Sequence, residues 1–140
     1  MMTRVCGVLV KDNKILLALH KRFNEEYFVL PGGGLEKGES HSECLVRAFK
    51  EKADLSVRVG GLLLKCFDGE LHHREEFYYA VKLVSGVLNF SKNPDLKGGV
   101  FQSITWVDLK NLEKIRLYPK AVKEFLLQKY ESFVDSSTLG

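Results

Sequence analysis

The chain has 140 residues, 45% apolar and 28% charged, enough for one packed core and too apolar for a disordered chain. Lys and Arg number 21 against 18 Asp and Glu, a net charge of +3, too small and scattered an excess to argue for nucleic acid by itself. No apolar run approaches the roughly 18 residues of a membrane span, residues 1–5 show no signal-peptide pattern, and Cys6, Cys44 and Cys66 form no Cys-x-x-Cys pair, so they read as reduced, mostly buried thiols of a cytoplasmic protein.

Residues 4–10 are β-rich, residues 11–14 (Lys-Asp-Asn-Lys) suit a tight turn, and residues 15–20 return as the second arm of a hairpin. A polar loop is expected over residues 21–26, then a short apolar strand over 27–30, stopped by Pro31 and the glycines at 32, 33 and 34. Ser40 with Glu43 is a capping box, and Cys44, Leu45, Ala48 and Phe49 recur at helical spacing, so a helix follows and fades near Asp54. Residues 55–64 turn β-like, Asp68-Gly69 marks a turn, residues 77–84 form a strand, and residues 87–90 are expected to pair with it across Ser85-Gly86. Residues 91–99 read as a polar loop and 104–107 as a last short strand. Asp108 is expected to cap a turn through Leu112, Pro119 to open a helix reaching about residue 134, and residues 136–140 to fray. The order βββαββββα, with no repeat or linker, predicts an α+β fold of mixed sheets with helices packed outside, a single domain over residues 1–135.

The informative stretch runs from Leu30 through Pro31, Gly32, Gly33, Gly34, Leu35, Glu36, Lys37 and Gly38 to Glu39, directly before the capped helix. Glycines after a strand can turn backbone N–H groups outward without Cβ obstruction, a geometry suited to phosphate oxygens. Gly33, Glu39, Arg47 and Glu51 then follow at fixed intervals, with Phe49 and Leu55 apolar. This resembles the Nudix box, G-x5-E-x7-R-E-U-x-E-E-x-G-U, where U is a bulky aliphatic. The flanks at 27–33 and 104–109 resemble the family too, and the resemblance covers roughly residues 4–125.

That resemblance implies a Nudix fold, an α/β/α sandwich, and hydrolysis of a nucleoside diphosphate linked to another group. It implies Mg²⁺ or Mn²⁺ held by helix-borne glutamates against the pyrophosphate. Hard cations favour carboxylate oxygens and neutralise charge on phosphoryl groups, and residues at i, i+3 and i+4 share a helix face. Carried over to this chain, the catalytic residues are Glu51, Glu39 and Arg47, the metal residues Glu51 and Glu39, and the substrate-binding residues Gly32, Gly33, Gly34, Arg22 and Lys52. Lys52 would contact a phosphate as a point charge, and Arg22 would meet a phosphate tail.

The chain departs from the pattern at the metal-binding positions: 48, 51 and 52 hold Ala48, Glu51 and Lys52, and Asp54 replaces the helix-ending glycine. An ammonium about 5 Å from a divalent ion costs about 6–7 kcal/mol at an effective dielectric near 20, an upper bound because the side chain can swing into water. Even a third of that weakens metal binding more than about tenfold. The expectation is therefore a weakly bound or substrate-dependent Mg²⁺ or Mn²⁺, with Glu36, Glu43, Asp54, Glu70, Glu75 and Glu76 as carboxylates that could compensate.

Each sharp reading has a plainer one. Arg47 could simply pair with Glu51 at i,i+4; His72-His73 could decorate a loop end; Cys44 could be core; Trp106 could pack rather than stack a base. The apolar stripe of Val122, Phe125, Leu126 and Tyr130 reads as an amphipathic helix docking on the domain, with a dimer helix as the minor alternative. Two functions compete: a metal-dependent pyrophosphohydrolase with an impaired metal site, and a catalytically silent Nudix-fold module that binds or senses a nucleotide. The expected partner is a small nucleotide derivative, with no nucleic acid and no membrane, for a monomer or homodimer.

Overall fold

The computed structural model describes residues 2–22, 24–69, 74–88, 95–97 and 100–129; the side chains of 22, 95–97 and 100–102 lie outside that description. In chain order the elements are β1 (Thr3–Lys11), β2 (Lys14–Arg22), β3 (Glu25–Val29), β4 (Gly32–Gly34), α1 (His41–Ala53), β5 (Ser56–Asp68), β6 (Arg74–Ser85), β7 (Asp95–Lys97), β8 (Val100–Asp108), a 3-10 turn (Leu109–Asn111) and α2 (Lys120–Gln128). They fall into two compact units, Met1–Leu9 with Leu30–Lys92, and Val10–Val29 with Asn93–Gly140.

The first unit carries a mixed sheet. β1 runs parallel to β6 from Thr3↔Glu75 to Leu9↔Val81, while β5 is antiparallel to β6 and β4 is antiparallel to β1 through Arg4↔Gly34, Val5↔Gly33 and Cys6↔Gly32. Helix α1 buries Cys44, Leu45, Ala48, Phe49 and Ala53, the stripe its spacing predicts. Gly7 makes room for the Phe49 ring, since a Cβ there would stand 2.8 Å from it. The His41 ring lies against Phe77 and Tyr79, with centroids 4.6 and 5.7 Å away. Burying Phe49 and Leu45 contributes about 1.5–3 kcal/mol each, which fixes α1 on this face of the sheet.

In the second unit β2 pairs antiparallel with β3 and β8, and β7 pairs with β8. Val10↔Ile15 and Lys11↔Lys14 close the first hairpin. Asp12 and Asn13 take φ of 52 and 60°, the handedness a two-residue hairpin turn requires. Ala18, Tyr27 and Val29 form a core against which Ile104 and Tyr118 pack, and α2 buries Val122 and Leu126.

Several expectations are corrected. Residues 21, 22, 25 and 26 belong to strands, not to a loop: Lys21↔Glu26 and Arg22↔Glu25 extend the β2–β3 ladder, with a 3.3 Å Lys21–Glu26 ion pair, so opposite charges across strands do what apolar alternation does elsewhere; residue 23 lies outside the described residues. The glycines at 32–34 are a strand, not the stop of one. The strand expected at 55–64 runs on to Asp68, with register shifts absorbing Gly60 and Gly61. Val87 and Leu88 form no strand, following Gly86 at φ 106°; residues 89–90 lie outside the described residues. The expected polar loop contains β7. Asp108 makes no side-chain cap, because the Leu109 N–H donates to the Asn13 carbonyl at 3.0 Å. Pro119 is the N-cap of α2 rather than its first helical residue. The end of the helix expected to about 134, with Tyr130, and the frayed tail lie outside the described residues. All three thiols are free, Cys6 and Cys44 buried and Cys66 half-buried, as expected.

Candidate active site

The site lies where α1 faces β4, within the first unit. Both ends of α1 are satisfied locally. The Ser40 hydroxyl accepts from the Glu43 N–H at 3.1 Å and the Ser40 N–H donates to Glu43 Oε1 at 2.9 Å. Asp54 closes the C-terminus in the left-handed region, φ 58°, doing what the absent glycine would do. It also pairs with Lys50 at 3.2 Å.

Positions 44, 48 and 52 recur every fourth residue and line the face of α1 turned to β4. The carbonyls of β4 accept from that face. Gly34 O takes Arg47 Nη2 at 3.0 Å and Cys44 Sγ at 3.5 Å, Gly33 O takes Cys44 Sγ at 3.5 Å, and Gly32 O takes Lys52 Nζ at 2.5 Å. The close fit needs glycine: a Cβ on Gly32 would stand 2.1 Å from Val5 O, and one on Gly33 3.2 Å from Ala48 Cβ. A Cβ on Gly34 would meet nothing within 4 Å. The expected outward-facing N–H cradle is thus a strand whose carbonyls meet helix donors.

Arg47 gathers the carboxylates. Its Nε donates to Glu39 Oε2 at 2.7 Å and its Nη2 to Glu39 Oε1 at 3.1 Å, a two-pronged clamp. Its Nη1 reaches Glu51 at 3.4 Å and Glu36 at 3.8 Å. The Arg47 guanidinium, with the Glu36 N–H, holds the Glu39 carboxyl down at about 2, and Glu39 in turn raises Arg47. Burial pushes the Cys44 thiol up to about 11, in keeping with a core role. Glu39 is 12% exposed and Glu51 59%. A groove of about 470 Å³ opens beside Glu39, lined also by Thr3, Gly34, Glu36 and Lys37 among others.

Among the described residues no group of three or more His, Cys, Asp or Glu is placed to hold a metal ion. Ala48 offers no oxygen, Lys52 brings an ammonium to Gly32 O, and Glu36, Glu39 and Glu51 share one guanidinium. This donor set does not fit a tightly held divalent cation. The carboxylates named as replacements are engaged elsewhere: Glu43 in the cap, Asp54 on Lys50, Glu75 on Lys65 at 3.4 Å. Glu76, 2% exposed, accepts from Arg74 at 2.9 Å and the Tyr78 hydroxyl at 2.5 Å. Glu70 and the histidines at 72 and 73 lie outside the described residues.

The structure therefore brings together Gly32, Gly33, Gly34, Glu39, Arg47, Glu51 and Lys52. Arg22 belongs to the second unit and its side chain is outside the description. Trp106 is half-buried on β8, opposite Leu16. The spacing of Cys44, Ala48 and Lys52 was visible in the sequence, but the carbonyls that Cys44 and Lys52 address were not.

A family model described as NUDIX domain matches residues 1–128. An ADP-ribose pyrophosphatase of Methanocaldococcus jannaschii is 33% identical over 87% of this chain and 71% of its own length. An RNA pyrophosphohydrolase of Ruthia magnifica subsp. Calyptogena magnifica is 24% identical, over 87% and 77%. In fold, the chain is similar to a NUDIX-family hydrolase from Clostridium perfringens, TM-score 0.70 at 16% identity, covering 93% of this chain and 96% of that one. A NUDIX hydrolase from Nitrosomonas europaea gives 0.69 at 19%, covering 94% and 88%. With its α+β architecture, its Gly33–Glu39–Arg47–Glu51 spacing and this match across most of its length, the chain belongs to the NUDIX family.

Proposed function

We propose that this chain acts as one domain, over residues 1–135, on a nucleoside diphosphate linked to another moiety, as a pyrophosphohydrolase with an impaired metal site. The observation that carries the reading is the clamp of Arg47 on Glu39 and Glu51 beside β4. The 33% identity to an ADP-ribose pyrophosphatase supports it. Arg47 is the positioning residue. Glu39 stays ionised through the neutral range and fixes the guanidinium, while Glu51, 3.4 Å from that guanidinium and 59% exposed, is the carboxylate that a water or a substrate group would reach most readily. Mg²⁺ or Mn²⁺ is held weakly, because the chain supplies few free oxygens.

A second reading, a nucleotide-binding module without turnover, is favoured by Ala48 and by the Lys52 contact to Gly32 O. Product release from ADP-ribose and other nucleoside diphosphate derivatives, with Mg²⁺ or Mn²⁺, separates the two. Turnover that Glu51→Gln abolishes supports the hydrolase. Saturable binding with no product supports the module.

A further inference from the structure

The poor fit of the donor set to a divalent ion has a positive side. Gly32 is pinned: its Cα hydrogen points at β1, where a Cβ would meet Val5 O at 2.1 Å, and the Cys6↔Gly32 pairing holds its peptide in the sheet. Its carbonyl oxygen is thus a fixed negative pole facing α1. Backbone carbonyls beside carboxylates are what a hard cation seeks. Here an ammonium has taken that oxygen. Long helical side chains lean towards the helix N-terminus, so Lys52 reaches back over the turn containing Ala48, which presents only a methyl there. Ala48 is 1% exposed and sits 3.2 Å from where a Gly33 Cβ would be. A small residue at 48 and a cation at 52 therefore work together: the first clears the path along β4 and the second fills its end. The two carboxylates that remain, Glu39 and Glu51, are satisfied by Arg47.

We infer that Lys52 is a resident, covalently tethered cation that takes the place of a divalent ion at the α1–β4 junction, so that this chain recognises a pyrophosphate group without metal. The identity of the ligand group rests on the function proposed above; the replacement of the ion by Lys52 does not. The Lys52 ammonium held on Gly32 O is a fixed positive point charge, and such a charge attracts phosphoryl oxygens. Lys52→Arg should keep the charge and most of this role, and Lys52→Met should keep the stem and lose it.

The test has two readouts, neither of which is turnover. In the first, Mn²⁺ is titrated into the full chain and followed by the loss of the free-ion electron paramagnetic resonance signal. The unaltered chain should bind Mn²⁺ at least about tenfold more weakly than Ala48→Glu/Lys52→Glu, the equivalent of one restored charge interaction. In the second, inorganic pyrophosphate is titrated in EDTA by calorimetry. The unaltered chain and Lys52→Arg should bind it, and Lys52→Met about tenfold more weakly, the loss of one charge-assisted hydrogen bond. Melting curves establish that each variant is folded, and Lys52→Met serves for the second readout even where the double variant fails to fold. Equal Mn²⁺ affinity in the unaltered chain and the double variant would overturn the inference. So would pyrophosphate binding that needs Mg²⁺, or that Lys52→Met leaves unchanged. A chain that turns over no nucleotide would sink the hydrolase reading while leaving both results standing.

Discussion

Gly32→Ala tests the α1–β4 junction most sharply as a piece of packing. The added methyl would stand 2.1 Å from Val5 O and 2.8 Å from Cys6 Cα, both backbone atoms that cannot step aside without opening the β1–β4 pairing. Overpacking against backbone costs about 3 kcal/mol. With an unfolding entropy of about 2.1 cal/mol/K per residue over 140 residues, the melting temperature should fall by about 10 °C. Gly34→Ala is the control. Nothing lies within 4 Å of its added methyl, and its φ is not in the left-handed region, so it should change stability by less than about 1 kcal/mol, with stabilisation through the unfolded chain. Gly33→Ala, 3.2 Å from Ala48 Cβ, should fall between them. Scanning calorimetry of the three variants decides it. Gly32→Ala melting within about 2 °C of Gly34→Ala would refute the packing argument.

Three further outcomes follow from the same geometry. Ser40→Ala removes one half of the capping box and should cost about 1 kcal/mol, read from urea denaturation. The Glu39 carboxyl lies at about 2 against an ordinary 4.5, so its contribution to stability is present above about 4.5 and is lost as pH falls towards about 2. Carboxyl carbon-13 titration should follow that shift, and Arg47→Ala should return it to the ordinary range, whereas a Glu39 titrating normally in the unaltered chain would contradict the clamp. Cys44, raised to about 11 by burial, should resist iodoacetamide at pH 7.5 until the chain unfolds, and rapid native alkylation would place it at the surface.

What the sequence revealed depended on whether a local pattern or a long-range partner decides the structure. The first hairpin and α1 were legible because Asp12-Asn13 and the Ser40–Glu43 box carry their instructions within a few residues. Strand β4 was not, since glycines have no strand preference of their own and what orders them is β1, 26 to 30 positions earlier, through Cys6↔Gly32, Val5↔Gly33 and Arg4↔Gly34. The β2–β3 end was misread because charged residues usually signal solvent, and only the cross-strand register makes Lys21 and Glu26 partners. In the site, the spacing of Glu39, Arg47 and Glu51 foretold their meeting around one guanidinium. That Lys52 would meet a carbonyl of β4 could not be read, because a motif fixes residue types and intervals but not which backbone atoms face them.

On the proposed reading, Ala48 and Lys52 stand where the NUDIX pattern has carboxylates, and metal-dependent turnover is weakened as a result. The most direct measurement is product release from nucleoside diphosphate derivatives with Mn²⁺, for the unaltered chain beside Ala48→Glu/Lys52→Glu. The double variant should turn over at least about tenfold faster, the equivalent of roughly 1.4 kcal/mol of recovered interaction. An unaltered chain that is as fast as the variant would contradict it, and would mean that the existing carboxylates already complete the site.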